Sequence, residues 1–116
     1  VLVLTRYVVP LDEAASFHDL GRTALEALAA RPGCTGGHLG RAVDDPQRWT
    51  LTTTWRSVGD YRRALSAHEV KLHAVPLMYR AIDEPSAYEE LITWTPDAGL
   101  TTAESDRSAD DGSLGR

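Results

Sequence analysis

The sequence predicts an α+β fold, a ferredoxin-like split βαβ sandwich with element order β-α-β-β-α-β. Three observations predict it. The chain opens on a strand-like run, "VLVLTRYVV". A central pair of strand-like segments, "CTGGHLGRAV" and "WTLTTTWR", is joined by the turn "DDPQR". Two Ala- and Leu-bearing stretches with helical periodicity flank that pair.

The first strand alternates Val1, Val3, Thr5, Tyr7 and Val9 with Leu2, Leu4, Arg6 and Val8. Both faces are largely apolar, so both require cover. Pro10 stops the strand, and Asp12 is placed to cap a helix whose stripe is Phe17, Leu20, Ala24 and Leu28. "RPG" (31–33) ends that helix, because proline cannot extend it. The hairpin follows, its third strand alternating Trp49, Leu51, Thr53 and Trp55 with threonines. A second helix is expected from Val58 to Ile82. Val58, Tyr61, Leu65, His68, Leu72, Val75 and Tyr79 recur on it at steps of three and four, with a break or kink at Pro76. A last strand is expected over 87–94. The domain therefore spans 1–95. The remainder, 96–116, is polar and rich in Ser, Asp and Gly, and is expected to be disordered. Helices on one sheet face leave the other bare, and its simplest cover is a second copy of the sheet. A homodimer forming a dimeric α/β barrel is the expectation.

Composition narrows the function. The 116 residues carry a net charge of −5 with no basic run, which argues against nucleic acid and anionic membrane as partners. The lone Cys34 excludes an internal disulfide and a cysteine-rich zinc cage, and no cationic neighbour in sequence activates it. No apolar run approaches the roughly 20 residues of a membrane span, and no leader-like segment precedes the first strand; a cytoplasmic protein is expected.

"AHEVKLH" (67–73) resembles the H-E-x-x-H zinc signature with its second histidine one residue late. Residues five apart on a helix are turned by about 140°, so His68 and His73 cannot share an ion, and no metal site is expected. His68 lies on the apolar stripe, either as a core-edge side chain or as a base facing a pocket. Tyr61 and Tyr79 bracket the stripe, each a phenol in need of a partner. Trp55 packs in the core or walls a pocket. His38 projects from a glycine-rich strand, where small neighbours leave room for a ligand or mark a bulge. Arg6 interrupts an apolar face and needs either a ligand or an ion pair, for instance with Glu89 or Glu90. His18 reads as a solvated helix residue. "GGHLG" lacks the lysine of a phosphate-binding loop.

The "PG" turn into a glycine-rich strand, the hairpin, and "TWRSVGDYRRAL" with its W-x-S-x-x-x-[YF] pattern together resemble the antibiotic biosynthesis monooxygenase (ABM) domain, over roughly Val1 to Leu91. The resemblance implies a dimeric α+β barrel. It also implies oxidation by O2 of an aromatic, polyketide-like or hydroquinone-type molecule, without metal, flavin or other cofactor. In such chemistry the deprotonated substrate supplies the electrons, and the protein supplies an apolar pocket, a base and support for an enolate. On this reading His68, His73 and Arg6 are the catalytic candidates, and His38, Trp55, Tyr61 and Tyr79 bind substrate. The family also contains haem-degrading members, in which a histidine late in this helix ligates iron; His73 stands close to that place. Those relatives need a tryptophan earlier in the helix and an asparagine in the first strand, where this chain has Ala64 and Thr5 or Arg6. The alternative function is a non-catalytic dimer of the same fold that binds a small molecule or haem.

Overall fold

The computed structural model describes residues 1–103. Four strands form one antiparallel sheet: β1 (Leu2–Val8), β2 (Cys34–Arg41), β3 (Arg48–Trp55) and β4 (Ala87–Tyr88), in the order β2-β3-β1-β4. That order is the expected split βαβ arrangement. The helices are α1 (Ala14–Ala29), α2 (Val58–Leu65), α3 (His68–His73) and α4 (Val75–Met78). Beyond β4, β5 (Ile92–Thr95) and β6 (Gly99–Thr102) pair only with each other, as a separate hairpin.

Strand alternation decides which side chains meet the helices. Val3, Thr5 and Tyr7 of β1 and Trp49, Leu51, Thr53 and Trp55 of β3 are all buried. Phe17 and Leu28 of α1 close on them, with Phe17 edge-on to Trp49 at 5.3 Å and tilted against Tyr7 at 5.0 Å. Gly21 lets α1 approach β2, since a methyl group there would meet Leu39 Cδ2 at 2.7 Å. The "RPG" turn works for a different reason. Gly33 has φ +90°, the left-handed region, and a side chain there would collide with Asp60.

The opposite sheet face carries Leu2, Leu4, Arg6 and Val8, the threonines 50, 52 and 54, and His38, which pairs in register with Thr52. Val8 is 53% exposed, and this face is open in the protomer.

Four expectations need correction. Asp12 does not cap α1; Leu11–Glu13 form a 3-10 turn, and the helix begins without a side-chain cap. The Val58–Ile82 helix is three short helices. Ala67 is extended at ψ 141°, which resets the helical phase well before Pro76, and Pro76 sits harmlessly in the first turn of α4. The buried line therefore runs Tyr61, Ala64, Val70, Ala74 and Leu77, while His68, Leu72 and Tyr79 turn outward. The last strand is also divided: two residues join the sheet, and Ile92–Thr95 leave it to pair with Gly99–Thr102. Ordered backbone thus continues past the expected boundary at 95. The expected disorder of the rest of the tail, from 104 onward, lies outside the described residues.

Candidate functional site

Between sheet and helices lies a polar array inside an apolar core. Thr5 and Tyr7 are two apart on β1 and so share its inner face. The Thr5 hydroxyl donates to the Leu51 carbonyl at 3.3 Å, which leaves the Tyr7 phenol to donate to Thr5 Oγ1 at 2.9 Å. On β3, the Trp55 indole Nε1 donates to Thr53 Oγ1 at 2.8 Å. The Tyr61 ring tilts against Trp55 at 5.6 Å. The "W-x-S-x-x-x-Y" spacing explains that contact. Trp55 ends the strand, Ser57 caps α2 by accepting from the Asp60 N–H at 3.1 Å, and the first helical turn then lowers Tyr61 onto the indole.

Burial pushes the Tyr61 phenol above its ordinary pKa, and the neighbouring Tyr7 adds to the effect. Burial raises Tyr7 too, partly offset by the Thr5 hydrogen bond and by Arg80. Both phenols are therefore neutral hydrogen-bond donors near pH 7, unfit as bases but suited to hold a developing oxyanion.

Two hollows flank the 65–79 segment, and one of them reaches this array at Thr5. An apolar one of about 530 Å³ is lined by Leu65, Lys71, Val75, Met78 and Tyr79. Leu65 stands one helical turn beyond Tyr61, but the buried Tyr61 phenol is not part of the hollow's wall. The Lys71 ammonium is the cation at its rim and forms no ion pair among the described residues. The second, a more polar hollow of about 310 Å³, lies between the part of β1 beyond its pairing with β4 and the 78–86 segment and includes Thr5, Arg6, Met78 and Tyr79. Its wall is held by the Ile82 N–H donating to Arg6 O at 2.8 Å and the Leu4 N–H donating to Ser86 O at 2.7 Å. The two hollows share Met78 and Tyr79.

Trp55 and Tyr61 are together in the interior, and Arg6 and Tyr79 line the polar hollow. Arg6 pairs with Glu84 at 2.8 Å rather than with Glu89 or Glu90, because the 78–86 segment, not the last strand, runs beside that part of β1. His38 lies on the open sheet face. His68 and His73 both sit on the exposed side of α3, where His73 Nε2 contacts Glu69 at 3.3 Å; the buried α3 side chain is Val70. A haem group needs an axial nitrogen facing a deep apolar slot, and His73 lines none of the larger hollows. The residues present therefore do not fit haem. Thr5, not Arg6, is the inward residue of β1. Among the described residues no group of three His, Cys, Asp or Glu side chains converges as a metal site, and no helix is long and apolar enough to cross a membrane.

Sequence reasoning missed Thr5, Tyr7, Thr53 and Lys71. The first three were visible as polar members of otherwise apolar strand faces. Lys71 became legible only once the break at Ala67 had turned α3.

The family model for antibiotic biosynthesis monooxygenases matches residues 1–74. Among solved structures, a conserved protein from Methanosarcina mazei is similar with TM-score 0.61 and 17% identity, over 74% of this chain and 84% of that one. A mutant of SnoaB, a cofactor-independent oxygenase from Streptomyces nogalater, gives TM-score 0.61 and 22% identity over 70% of this chain and 82% of its own. Rv0793 from Mycobacterium tuberculosis gives 0.58 and 16%, over 74% and 86%. No curated protein matches the sequence.

Proposed function

Because the chain belongs to the antibiotic biosynthesis monooxygenase family, we propose that it is a cofactor-independent oxygenase of an aromatic small molecule, working as a homodimer closed through the open sheet face. The observation that carries the reading is the apolar hollow formed by Leu65, Val75, Met78 and Tyr79, with the Lys71 ammonium, unpaired among the described residues, at its rim. The likeness to SnoaB, a cofactor-independent oxygenase, supports it.

An anthrone- or hydroquinone-type ring sits against Leu65, Val75 and Met78. Its acidic C–H or O–H loses a proton to water at the mouth, and Lys71 with the phenol of Tyr79 stabilises the enolate oxygen. The enolate carbon passes electrons to O2 and bonds one oxygen atom; the peroxide O–O bond then breaks. A ring CH2 and O2 become C=O and H2O, so the substrate is the only reductant. Trp55 fixes Tyr61, and Arg6 with Tyr79 borders the polar hollow through which the proton leaves. His38, His68 and His73 lie outside this arrangement in the protomer.

One observation favours a second reading, a ligand-binding dimer without catalysis: neither buried phenol can accept a proton, and the histidines face outward. An oxygen electrode with anthrone and hydroquinone panels decides. The oxygenase reading requires uptake above the uncatalysed rate, reduced at least ten-fold in Lys71→Ala. Uptake at the uncatalysed rate together with saturable quenching of tryptophan fluorescence by the same compounds would establish the binding protein instead.

A further inference from the structure

A groove of about 630 Å³ runs along α1 where that helix packs on the edge strand β2, and the chemistry proposed above does not use it. Its volume is that of a small-molecule site. It shares no lining residue with the Lys71 hollow. Ala15, Leu25, Ala29, Leu39 and Trp49 supply its apolar surface. It lies on the helix side of the sheet, so a homodimer closed through the open face leaves it accessible.

Two close approaches fix how helix and strand run past each other. A methyl group at Gly21 would meet Leu39 Cδ2 at 2.7 Å, and one at Gly37 would meet Leu25 Cδ1 at 2.6 Å. The two elements are therefore antiparallel. Four helix residues and two strand residues each advance about 6 Å, so the next step sets Arg41 beside the turn of Phe17 and His18. The aromatic packing agrees: Phe17 meets Trp49 at 5.3 Å, and Trp49 pairs in register with Arg41.

The groove is thus polarised along its length. At one end stand His18, Arg22 one turn further along α1, and Arg41, whose guanidinium lies over the Trp49 ring at 5.2 Å. Neither arginine is ion-paired among the described residues, and His18 contacts only Asp19. The Trp49 indole N–H is buried there with no acceptor among those residues, an orphan donor in the wall. Leu25 and Ala29 form the other end, where Glu26 is the one carboxylate of the lining. An anionic head is drawn to the arginine end and repelled from the Glu26 end. From Arg22 to Ala29 the apolar trough is about 10 Å long.

We propose that this groove is a second ligand site, for a small monocarboxylate with an apolar body about 10 Å long. Arg22 and Arg41 take the carboxylate with their planar donor forks. The body starts over Leu39 and follows Leu25 to Ala29.

The test is a two-dimensional NMR titration of the isotope-labelled full chain with octanoate and with 2-naphthoate, each beside its neutral alcohol. The expected result is saturable shifts at Arg22, Leu25, Leu39 and Arg41 and at the Trp49 indole, with a Kd of about 1 mM or tighter for the acid. The alcohol should bind about ten-fold more weakly or worse. Arg22→Gln with Arg41→Gln should reproduce that loss. Ala29→Trp should also abolish binding, because it fills the trough from an exposed helix position. Lys71→Ala should bind the acids like the native chain. Saturation by octanoate alone identifies an alkyl acid and by 2-naphthoate alone an aryl one, and either supports the site. Equal binding of acid and alcohol, or acid binding that survives the paired arginine substitution, would overturn the proposal. Absence of saturable shifts, or shifts confined to the Lys71 hollow and lost in Lys71→Ala, would overturn it as well.

Discussion

Residues 1–65 supply most of the buried apolar core, and residues 66–103 carry most of the large apolar side chains left exposed. In the first region Phe17, Leu28 and Trp55 are 1%, 1% and 2% exposed, locked between α1, α2 and the sheet. In the second, Leu72, Tyr79 and Trp94 are 55%, 86% and 64% exposed, on helices of six and four residues and on a hairpin outside the main sheet. Buried side chains of the first region define the protomer. Of the three in the second, Tyr79 borders two hollows, and Leu72 and Trp94 stand open to solvent. The sharpest test compares two tryptophans. Trp55→Ala should cost about 3–5 kcal/mol in urea unfolding, the range for deleting a buried aromatic ring. Trp94→Ala should change protomer stability by no more than about 0.5 kcal/mol when measured at a dilution where the chain is monomeric. Equal costs would erase the distinction between the regions.

The phase reset at Ala67 is the boundary between them, and α3 reads it directly. Val70 is fully buried while His68 and Leu72 are exposed. Val70→Ala should cost about 2 kcal/mol, two carbons at about 0.8 kcal/mol each plus a cavity term. His68→Ala and Leu72→Ala should each stay within about 0.5 kcal/mol. A large cost at Leu72 with none at Val70 would restore the continuous stripe that periodicity suggests.

That stripe shows where sequence reading reaches its limit. Strand alternation in "WTLTTTWR" survives folding because each residue's face is fixed by its parity, and all four predicted inward residues are buried. Helical phase depends on every intervening residue being helical. One extended alanine rotates everything after it, and nothing in "LSAHE" announces the break. The site divided along the same line. Trp55 and Tyr61 were legible because a capped turn joins a strand to a helix. Of the α3 histidines, His68 was assigned to the interior stripe by a phase error, and Lys71 was overlooked for the same reason. The last strand was misjudged for another cause: the chain leaves the sheet at Glu89–Glu90, a residue type depleted in strands, and composition does not say which partner the following "ITWT" selects.

Gly33 ties the first region together at a single backbone position. Its φ of +90° and the packing of Asp60 against it leave no room for a side chain. Gly33→Ala should cost about 1–2 kcal/mol from the left-handed conformation alone, read as a lower thermal midpoint. Adding Asp60→Ala should not rescue Gly33→Ala, because the Asp60 Cβ that alanine keeps is among the atoms in the collision. A double variant as stable as Asp60→Ala alone would place the strain elsewhere in the turn.

Asp60 itself carries the smallest and most specific prediction. The Arg63 guanidinium, bonded to Asp60 Oδ1 at 2.6 Å, holds this carboxyl below the usual carboxylate range, with help from the Ser57 hydroxyl and Arg56. A depressed folded pKa means the unfolded chain binds the proton more readily. Asp60 therefore stabilises the fold at pH values above the ordinary aspartate pKa of about 4, and that contribution is lost as pH falls through the lower folded value. Native chain should show a downward slope of stability in that acid window, and Asp60→Asn should flatten part of it while leaving the neutral-pH fold intact. Arg63→Ala should produce the same flattening, because it removes the main cause of the shift. Should Asp60→Asn leave the acid slope unchanged, the link between the start of α2 and the Gly33 turn would be steric only. The first region would then owe its firmness to packing alone, with no electrostatic share at its strand-to-helix corner.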